Sequence, residues 1–233
     1  MTALETTSPL CLALDSDDPE ALLRMVAGVD GAVGAVKVGL TSFSAGGPEL
    51  IRTLTDSHPV FVDLKLHDIP AQVAGAVRSI AALGATWTTV HAAGGPAMLR
   101  AAAEAAPPAL TVLAVTVLTS LDDSDLDRLG LAGPAQDAVL RLAELALEAG
   151  VGGLVCSPLE VAAVRAGFGP RSEGGPYLVV PGIRPAGSDV GDQRRTLGPR
   201  EALEAGADLL VVGRPITGAQ DPGAAARSIA AAL

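Results

Sequence analysis

Asp63 and Lys65 place opposite charges inside an otherwise apolar segment, VFVDLKL, at residues 60–66. In an extended strand side chains alternate, so these two residues share one face while their valine and leucine neighbours point the other way. Asp68 follows three residues later, in HDIP. An ammonium group fixed among carboxylates can stabilise developing negative charge and then deliver a proton. The spacing therefore indicates a catalytic group, although an isolated Asp–Lys pair is more often a structural ion pair.

Ionisable and hydroxyl-bearing residues also lie within other apolar segments or at their ends. They are Asp15, Lys37, His91, Thr119, Ser120, Arg184 and Arg214. Each has a structural explanation when taken alone. An Asp at the end of a strand, such as Asp15, commonly caps a helix or forms a turn. Burying an unpaired charge is unfavourable, however, so a charge at many segment ends needs a reason. The joint pattern favours a functional site.

The elements that must position these residues are eight short segments rich in Val, Leu or Thr. They span residues 10–15, 35–39, 60–66, 86–91, 110–118, 152–157, 177–183 and 208–216. Helical patterns lie between them, and several begin at Asp, Pro or Gly and end at Gly. The alternation predicts an α/β fold, a single (β/α)8 TIM barrel over residues 1–233. A doubly wound sheet is the alternative, but no GxGxxG follows the first strand.

The predicted barrel brings the charged residues to one place, because barrel active sites lie at the carboxyl ends of the strands. The loops after strands seven and eight often bind phosphate. Gly213 would let the backbone approach a ligand, and Arg214 can grip two phosphate oxygens. The loop 184–196 is long and rich in Gly, Pro and Asp, as many lids are. We therefore expect a phosphorylated substrate beneath a lid.

The composition favours a cytoplasmic protein that binds neither nucleic acid nor membranes. Hydrophobic residues make up 49% of the 233 and aromatic residues 2%, which predicts an aliphatic core. The net charge of −10 argues against nonspecific nucleic-acid binding. Cys11 and Cys156 are interpreted as small buried hydrophobic residues rather than a disulfide or zinc ligands. No signal peptide is expected, and no apolar segment reaches the ~20 residues of a membrane helix.

The segment VFVDLKLHDIP (60–70) resembles the DxKxxDIP signature of the orotidine 5'-monophosphate decarboxylase family. Other motifs follow that family's order and spacing, namely LALD, the strand-two Lys, VLTS, VPGIRP, the downstream DQ-R and VVGRPIT. The resemblance extends from Leu12 to Thr217. DxKxxD alone is shared with a sugar-phosphate branch of the same superfamily, but its combination with PGIRP, Gln193 and GRPIT is specific.

The resemblance implies decarboxylation of orotidine 5'-monophosphate to UMP without a metal or other cofactor. Lys65 would protonate C6 of the pyrimidine, Asp63 would lie against the substrate carboxylate, and Lys37 would help complete an alternating Lys–Asp–Lys–Asp array. Asp15 would hold a ribose hydroxyl, Thr119 or Ser120 the pyrimidine edge, and Arg184, Gln193, Gly213 and Arg214 the phosphate region. Ile69 and Pro181 complete the implied substrate-binding set.

The resemblance also implies a homodimer, since the last Asp of the motif crosses the interface in this family. Asp68 would then serve the partner's site. One departure affects that interface. The family often has Asn-Thr after DIP, whereas this chain has Ala71-Gln72. In the family this Thr is often credited with a ribose contact across the dimer. Because Gln72 stands at that position here, the resemblance is only a weak indication of such a contact.

Two other functions remain as alternatives. A metal-dependent sugar-phosphate enzyme of the same superfamily, such as a hexulose-phosphate synthase or keto-gulonate-phosphate decarboxylase, shares the motif. Those enzymes typically place an acidic metal ligand where Lys37 stands, and a lysine there would repel Mg²⁺. A nucleotide-binding module without turnover is the second alternative, and the intact set of Asp63, Lys65 and Asp68 argues against it.

Overall fold

Eight parallel strands close into a barrel in the computed structural model, each paired with its neighbours in chain order and β8 with β1. The structure describes residues 8–29, 31–131, 133–185 and 196–233. The strands are β1 (Leu10–Leu14), β2 (Ala35–Val38), β3 (Val60–Leu66), β4 (Trp87–His91), β5 (Thr111–Val115), β6 (Gly153–Val155), β7 (Tyr177–Val180) and β8 (Leu209–Val212). The predicted (β/α)8 barrel is confirmed.

Helices follow the strands and cover the outside of the barrel. They are α1 (Pro19–Gly28), α2 (Leu40–Thr55), α3 (Pro70–Ala81), α4 (Gly95–Ala105), α5 (Asp123–Arg128), α6 (Ala135–Glu148), α7 (Val161–Phe168), α8 (Pro199–Glu204), α9 (Arg214–Thr217) and α10 (Pro222–Ala231). Local sequence sets several of their starts. Asp18 accepts a hydrogen bond from the Ala21 N–H at 3.0 Å, and Asp221 accepts one from the Ala224 N–H at 2.8 Å. Both caps precede a proline in the first turn, where its missing N–H is harmless.

The apolar side chains form two separate cores. The larger one lies between the strands and the helices and consists mostly of Val, Leu, Ile and Ala, as the composition predicts. The smaller one fills the inside of the barrel, and three of the five aromatic residues of the chain belong to it. These are Phe61, Trp87 and Tyr177, with the Trp87 and Tyr177 rings stacked at 6.0 Å between centroids. The other two aromatic residues, Phe43 and Phe168, pack against the larger core.

Arg165 ties together the loops that precede β7 and β8. Its guanidinium donates to the carbonyls of Gly206, Gly169 and Pro176 and to the Asp208 carboxylate, the last at 2.7 Å. Asp208 also accepts from the Leu178 N–H at 2.7 Å. Because Arg165 and Asp208 are largely buried, each depends on the other to remain satisfied. This clamp holds the end of the barrel opposite the strand carboxyl ends.

The strand ends differ from the prediction in a consistent way. β5, β7 and β8 end earlier than the apolar segments 110–118, 177–183 and 208–216, and α9 begins directly at Arg214. The residues beyond these ends line a cavity instead of continuing the sheet. Hydrophobicity alone does not separate a strand from an apolar cavity wall. Within the described ranges, no helix is long and apolar enough to cross a membrane.

Gly153, in β6, tests how tightly the barrel interior is packed. A Cβ at this position would lie 2.5 Å from the Tyr177 carbonyl oxygen and 2.7 Å from Leu113 Cδ2. We expect Gly153→Ala to lower the free energy of unfolding by about 1–3 kcal/mol, measured by urea denaturation. Gly28→Ala is the matched control, because its added methyl group meets nothing within 4 Å. Equal denaturation midpoints for the two variants would contradict tight packing at β6.

Candidate active site

A cavity of about 540 Å³ opens at the carboxyl ends of the strands. Its walls come from seven strands or the segments directly after them, β1, β2, β3, β5, β6, β7 and β8. The polar and charged residues that line it are Asp15, Lys37, Asp63, Lys65, Thr119, Ser120, Arg184 and Arg214, with Cys156, Pro181, Gly182 and Gly213 beside them. Four cations and two carboxylates give the cavity a net positive charge in a chain of net charge −10. The lining therefore suits an anionic ligand.

A linear array of charges forms one wall of the cavity. The Lys65 Nζ lies 2.8 Å from Asp63 Oδ2, the Lys37 Nζ lies 3.6 Å from the same oxygen, and Lys37 Nζ lies 3.4 Å from Asp15 Oδ1. Of the two lysines, Lys65 is the more exposed, with 30% of its side chain exposed against 11% for Lys37. Both line the cavity, and Lys37 is the more deeply buried of the two. These two are the only lysines in the whole chain.

The array keeps its buried members charged. Burial by itself lowers the pKa of Lys37, but the carboxylates of Asp63 and Asp15 outweigh it, and the pKa of this lysine is raised. Burial by itself raises the pKa of Asp63, but Lys37 and Lys65, with hydrogen bonds from Lys65 and Thr89, leave the pKa of this carboxyl below its ordinary value. Both groups are therefore ionised at neutral pH.

Two residues that the sequence did not single out support the array. The Thr89 hydroxyl donates to Asp63 Oδ1 at 2.9 Å and accepts from the Lys65 N–H at 2.9 Å. Gly39 leaves room for the deeper ion pair, because a Cβ there would lie 3.2 Å from the Lys37 Nζ and 3.3 Å from Asp15 Oδ1. Thr89 could have been identified from the sequence, because it lies two residues before His91 and so on the same face of β4. The role of Gly39 depends on a contact between strands that spacing does not reveal.

The opposite wall holds the predicted phosphate region. Arg184 follows β7, where its N–H donates to the Leu197 carbonyl at 3.0 Å and its guanidinium to the Ile183 carbonyl at 2.9 Å. Gly213 directly follows β8, and a Cβ there would contact Ala13 Cβ at 3.5 Å. Arg214 begins α9. The backbone at Gly213 thus borders the cavity directly, with a cation on the next residue.

The remaining predicted residues fall into three groups. Thr119, Ser120 and Pro181 line the cavity. Asp68 and Ile69 lie outside its lining and are exposed, Ile69 by 64%. Gln193 and nearly all of the predicted lid lie outside the described residues. A single chain therefore brings together Asp15, Lys37, Asp63 and Lys65 but not Asp68.

Cys11 does not have the environment of a reactive thiol. Burial raises the pKa of Cys11 to about 12, so this thiol stays protonated inside the barrel. Cys156 directly follows β6, is almost fully buried and borders the cavity. Within the described residues, no cluster of His, Cys, Asp and Glu is arranged to hold a metal ion.

Comparison with known proteins gives one consistent result. Residues 8–229 match the model of the orotidine 5'-phosphate decarboxylase / HUMPS family. An orotidine 5'-phosphate decarboxylase from Anaeromyxobacter dehalogenans is 56% identical over 99% of this chain and 100% of its own length. One from Thermobifida fusca is 54% identical over 97% and 96%. The crystal structure of orotidine 5'-phosphate decarboxylase from Lactobacillus acidophilus superposes with a TM-score of 0.82 at 38% identity, covering 95% of this chain and 97% of that one.

His91 is expected to make the stability of the protein depend on pH. Burial, followed by the nearby His67 and Lys65, lowers the pKa of His91 below its ordinary value of 6.5. As the pH falls from 7 to 5, the unfolded chain takes up a proton that the folded one resists, so stability is lost. The free energy of unfolding, measured by urea denaturation, should fall less over this range in His91→Asn than in wild type. Equal slopes would contradict the lowered pKa.

Proposed function

The chain belongs to the orotidine 5'-phosphate decarboxylase / HUMPS family, and from that membership we propose that it converts orotidine 5'-monophosphate to UMP and carbon dioxide. This makes it a carboxy-lyase. The observation that carries the proposal is the Lys65 ammonium, held 2.8 Å from Asp63 and facing a positively charged cavity. Relatives named orotidine 5'-phosphate decarboxylase, which match 99% of this chain, support the assignment.

Lys65 supplies the chemistry at C6. When the bond from C6 to the carboxylate breaks, carbon dioxide leaves and the electron pair stays on C6. The adjacent ammonium stabilises this developing charge and then transfers a proton to C6, which gives UMP and a neutral amine. Lys65 suits this role better than Lys37, because the Lys65 side chain is the more exposed to the cavity.

Asp63 and Lys37 prepare Lys65 for that transfer. Asp63 fixes the Lys65 ammonium through a hydrogen bond. Lys37 places a second positive charge beside Asp63 and so helps to keep this buried carboxylate ionised. The substrate carboxylate, when bound beside Asp63, is repelled by the like charge of that side chain. The repulsion is relieved as the substrate carboxylate becomes neutral carbon dioxide and its electron pair stays on C6. The repulsion raises the energy of the bound substrate more than that of the transition state.

The other wall binds the parts of the nucleotide that do not react. Arg184, Gly213 and Arg214 hold the phosphate, and Gln193 joins them from the segment outside the described residues. Asp15 accepts a hydrogen bond from a ribose hydroxyl, while Thr119, Ser120 and Pro181 contact the pyrimidine. Binding energy from the phosphate, far from C6, is thereby available to hold the ring against Lys65.

A second copy of the chain completes the site. Asp68 is exposed outside the cavity lining, and its carboxylate accepts a hydrogen bond from the adjacent Ile69 N–H. Ile69 and Leu40 are exposed by 64% and 61% and follow neighbouring strands, β3 and β2. An apolar edge of this kind favours burial against a partner. In the homodimer, Asp68 and Ile69 enter the partner's cavity, and Asp68 becomes the last carboxylate of the array.

The metal-dependent sugar-phosphate reaction is the less favoured alternative. Its motif places an acidic ligand at position 37, whereas here the Lys37 ammonium lies between the carboxylates of Asp15 and Asp63. A divalent cation at this point would meet a positive charge in place of a ligand. A module that binds nucleotides without turnover would not need Lys65 held beside Asp63.

Lys65→Ala tests the reaction and the proton donor together. The loss of orotidine 5'-monophosphate absorbance is followed with purified protein, with and without EDTA. We expect wild type to convert the substrate in EDTA and Lys65→Ala to lower kcat by at least about 10³-fold. Arg24→Ala, which removes an exposed cation of α1, should retain wild-type activity. Turnover only with Mg²⁺ and a sugar phosphate would instead support the alternative.

Mixing two inactive variants tests the shared site. Lys65→Ala and Asp68→Asn each damage every site of their own homodimer. In a freely exchanging equal mixture, half of the dimers are mixed, and each mixed dimer has one site with both wild-type residues. About a quarter of wild-type activity should therefore return on mixing. Activity that does not rise above that of the separate variants, despite verified subunit exchange, would contradict an Asp68 shared across the interface.

A further inference from the structure

The pairing of β3 with β4 is interrupted beside the reacting lysine. Phe61 and Val62 pair with Trp87 and Thr88, and pairing resumes only between Leu66 and Val90. Three residues of β3, at positions 63–65, thus lie opposite a single residue of β4, Thr89. Extra residues of this kind bend a strand and leave backbone groups without their ladder partners.

Lys65 has an unusual backbone conformation within this interruption. With φ of 52°, it is the one non-glycine residue of positive φ in the described chain. A residue other than glycine persists in such a conformation only when its surroundings hold it there. The Lys65 N–H lies where the regular β3–β4 pairing is interrupted, and it donates to the hydroxyl of Thr89, at 2.9 Å.

The same hydroxyl sets the orientation of Asp63. Because its oxygen accepts the Lys65 N–H, its hydrogen is available to donate, and it does so to Asp63 Oδ1 at 2.9 Å. That bond leaves Asp63 Oδ2 for the Lys65 and Lys37 ammonium groups. Thr89 is fully buried and does not line the cavity, so bulk water cannot replace its hydroxyl.

We propose that Thr89 is a positioning residue for the decarboxylation: its hydroxyl joins the backbone of Lys65 to the carboxylate of Asp63 and so fixes the distance between the two catalytic groups. The proposal rests on the function proposed above. Thr89 does not touch the substrate and acts through its two neighbours. Small displacements of reacting groups lower rates steeply, so loss of this hydroxyl should slow catalysis with little effect on binding.

The test compares hydroxyl removal at two adjacent positions of β4. Thr89→Val keeps the shape of the side chain without the hydroxyl, Thr89→Ala removes it without adding a methyl group beside the carboxylate, and Thr89→Ser restores it. Thr88→Val is the matched control, since the Thr88 hydroxyl is buried with no hydrogen-bond partner among the described residues. Steady-state kcat and KM for orotidine 5'-monophosphate are measured for each protein, with circular dichroism to verify folding.

We expect the Val and Ala variants of Thr89 to lower kcat by about 10- to 100-fold with KM changed less than about threefold. Thr89→Ser should retain at least about half of wild-type kcat, and Thr88→Val should match wild type. If Thr89→Val does not fold, Thr89→Ala carries the same expectation. The proposal is overturned by wild-type kcat in a folded Val or Ala variant, by an equal loss in Thr89→Ser, or by an equal loss in Thr88→Val.

The same assay separates this inference from the proposed function. A well-folded wild-type protein that does not consume orotidine 5'-monophosphate overturns the function itself. An active wild type with an unchanged Thr89→Val variant overturns only the role of Thr89.

Discussion

The ion pair between Asp63 and Lys65 is the interaction on which the site depends. A buried carboxylate and an ammonium at the mouth of an apolar barrel are stable only together, because either one alone would be an uncompensated charge. Lys37 and Asp15 extend the pair, so that positive and negative charges alternate along one wall of the cavity. The surrounding fold supplies what the pair needs: low exposure, fixed strands and a single open end.

Strain and chemistry coincide at one residue. A positive φ at a non-glycine residue is unfavourable by about 1–3 kcal/mol, and here it belongs to Lys65, the proposed proton donor. Glycine would fit the backbone better and could do no chemistry. At position 65 the chain therefore has a residue that is less stable in this conformation than glycine but carries an ammonium group. The Arg165–Asp208 clamp and the aromatic interior stabilise the opposite end of the barrel.

The sequence predicted the parts of this protein that follow from periodicity and residue type. The barrel was predicted because eight apolar segments alternate with helical patterns, and the site because charged residues lie within those segments or at their ends. The interruption opposite Thr89 could not be predicted, since register between strands depends on pairing that one strand's sequence does not specify. The close approach of Gly39 to Lys37 has the same origin. Asp68 lies in a predicted motif, yet its placement in a site depends on a second copy of the chain.

The restriction of lysine to the array has a practical consequence. Arginine supplies every other cationic side chain, so the surface of this protein offers no ε-amine outside the cavity. Amine-directed reagents modify most proteins at many scattered positions. In this protein they would react with the terminal amine and with the two lysines that line the cavity. Of these two lysines, Lys65 is the more accessible. The protein is therefore suited to single-point attachment of a label or inhibitor warhead, with a nucleotide in the cavity serving as the protecting group.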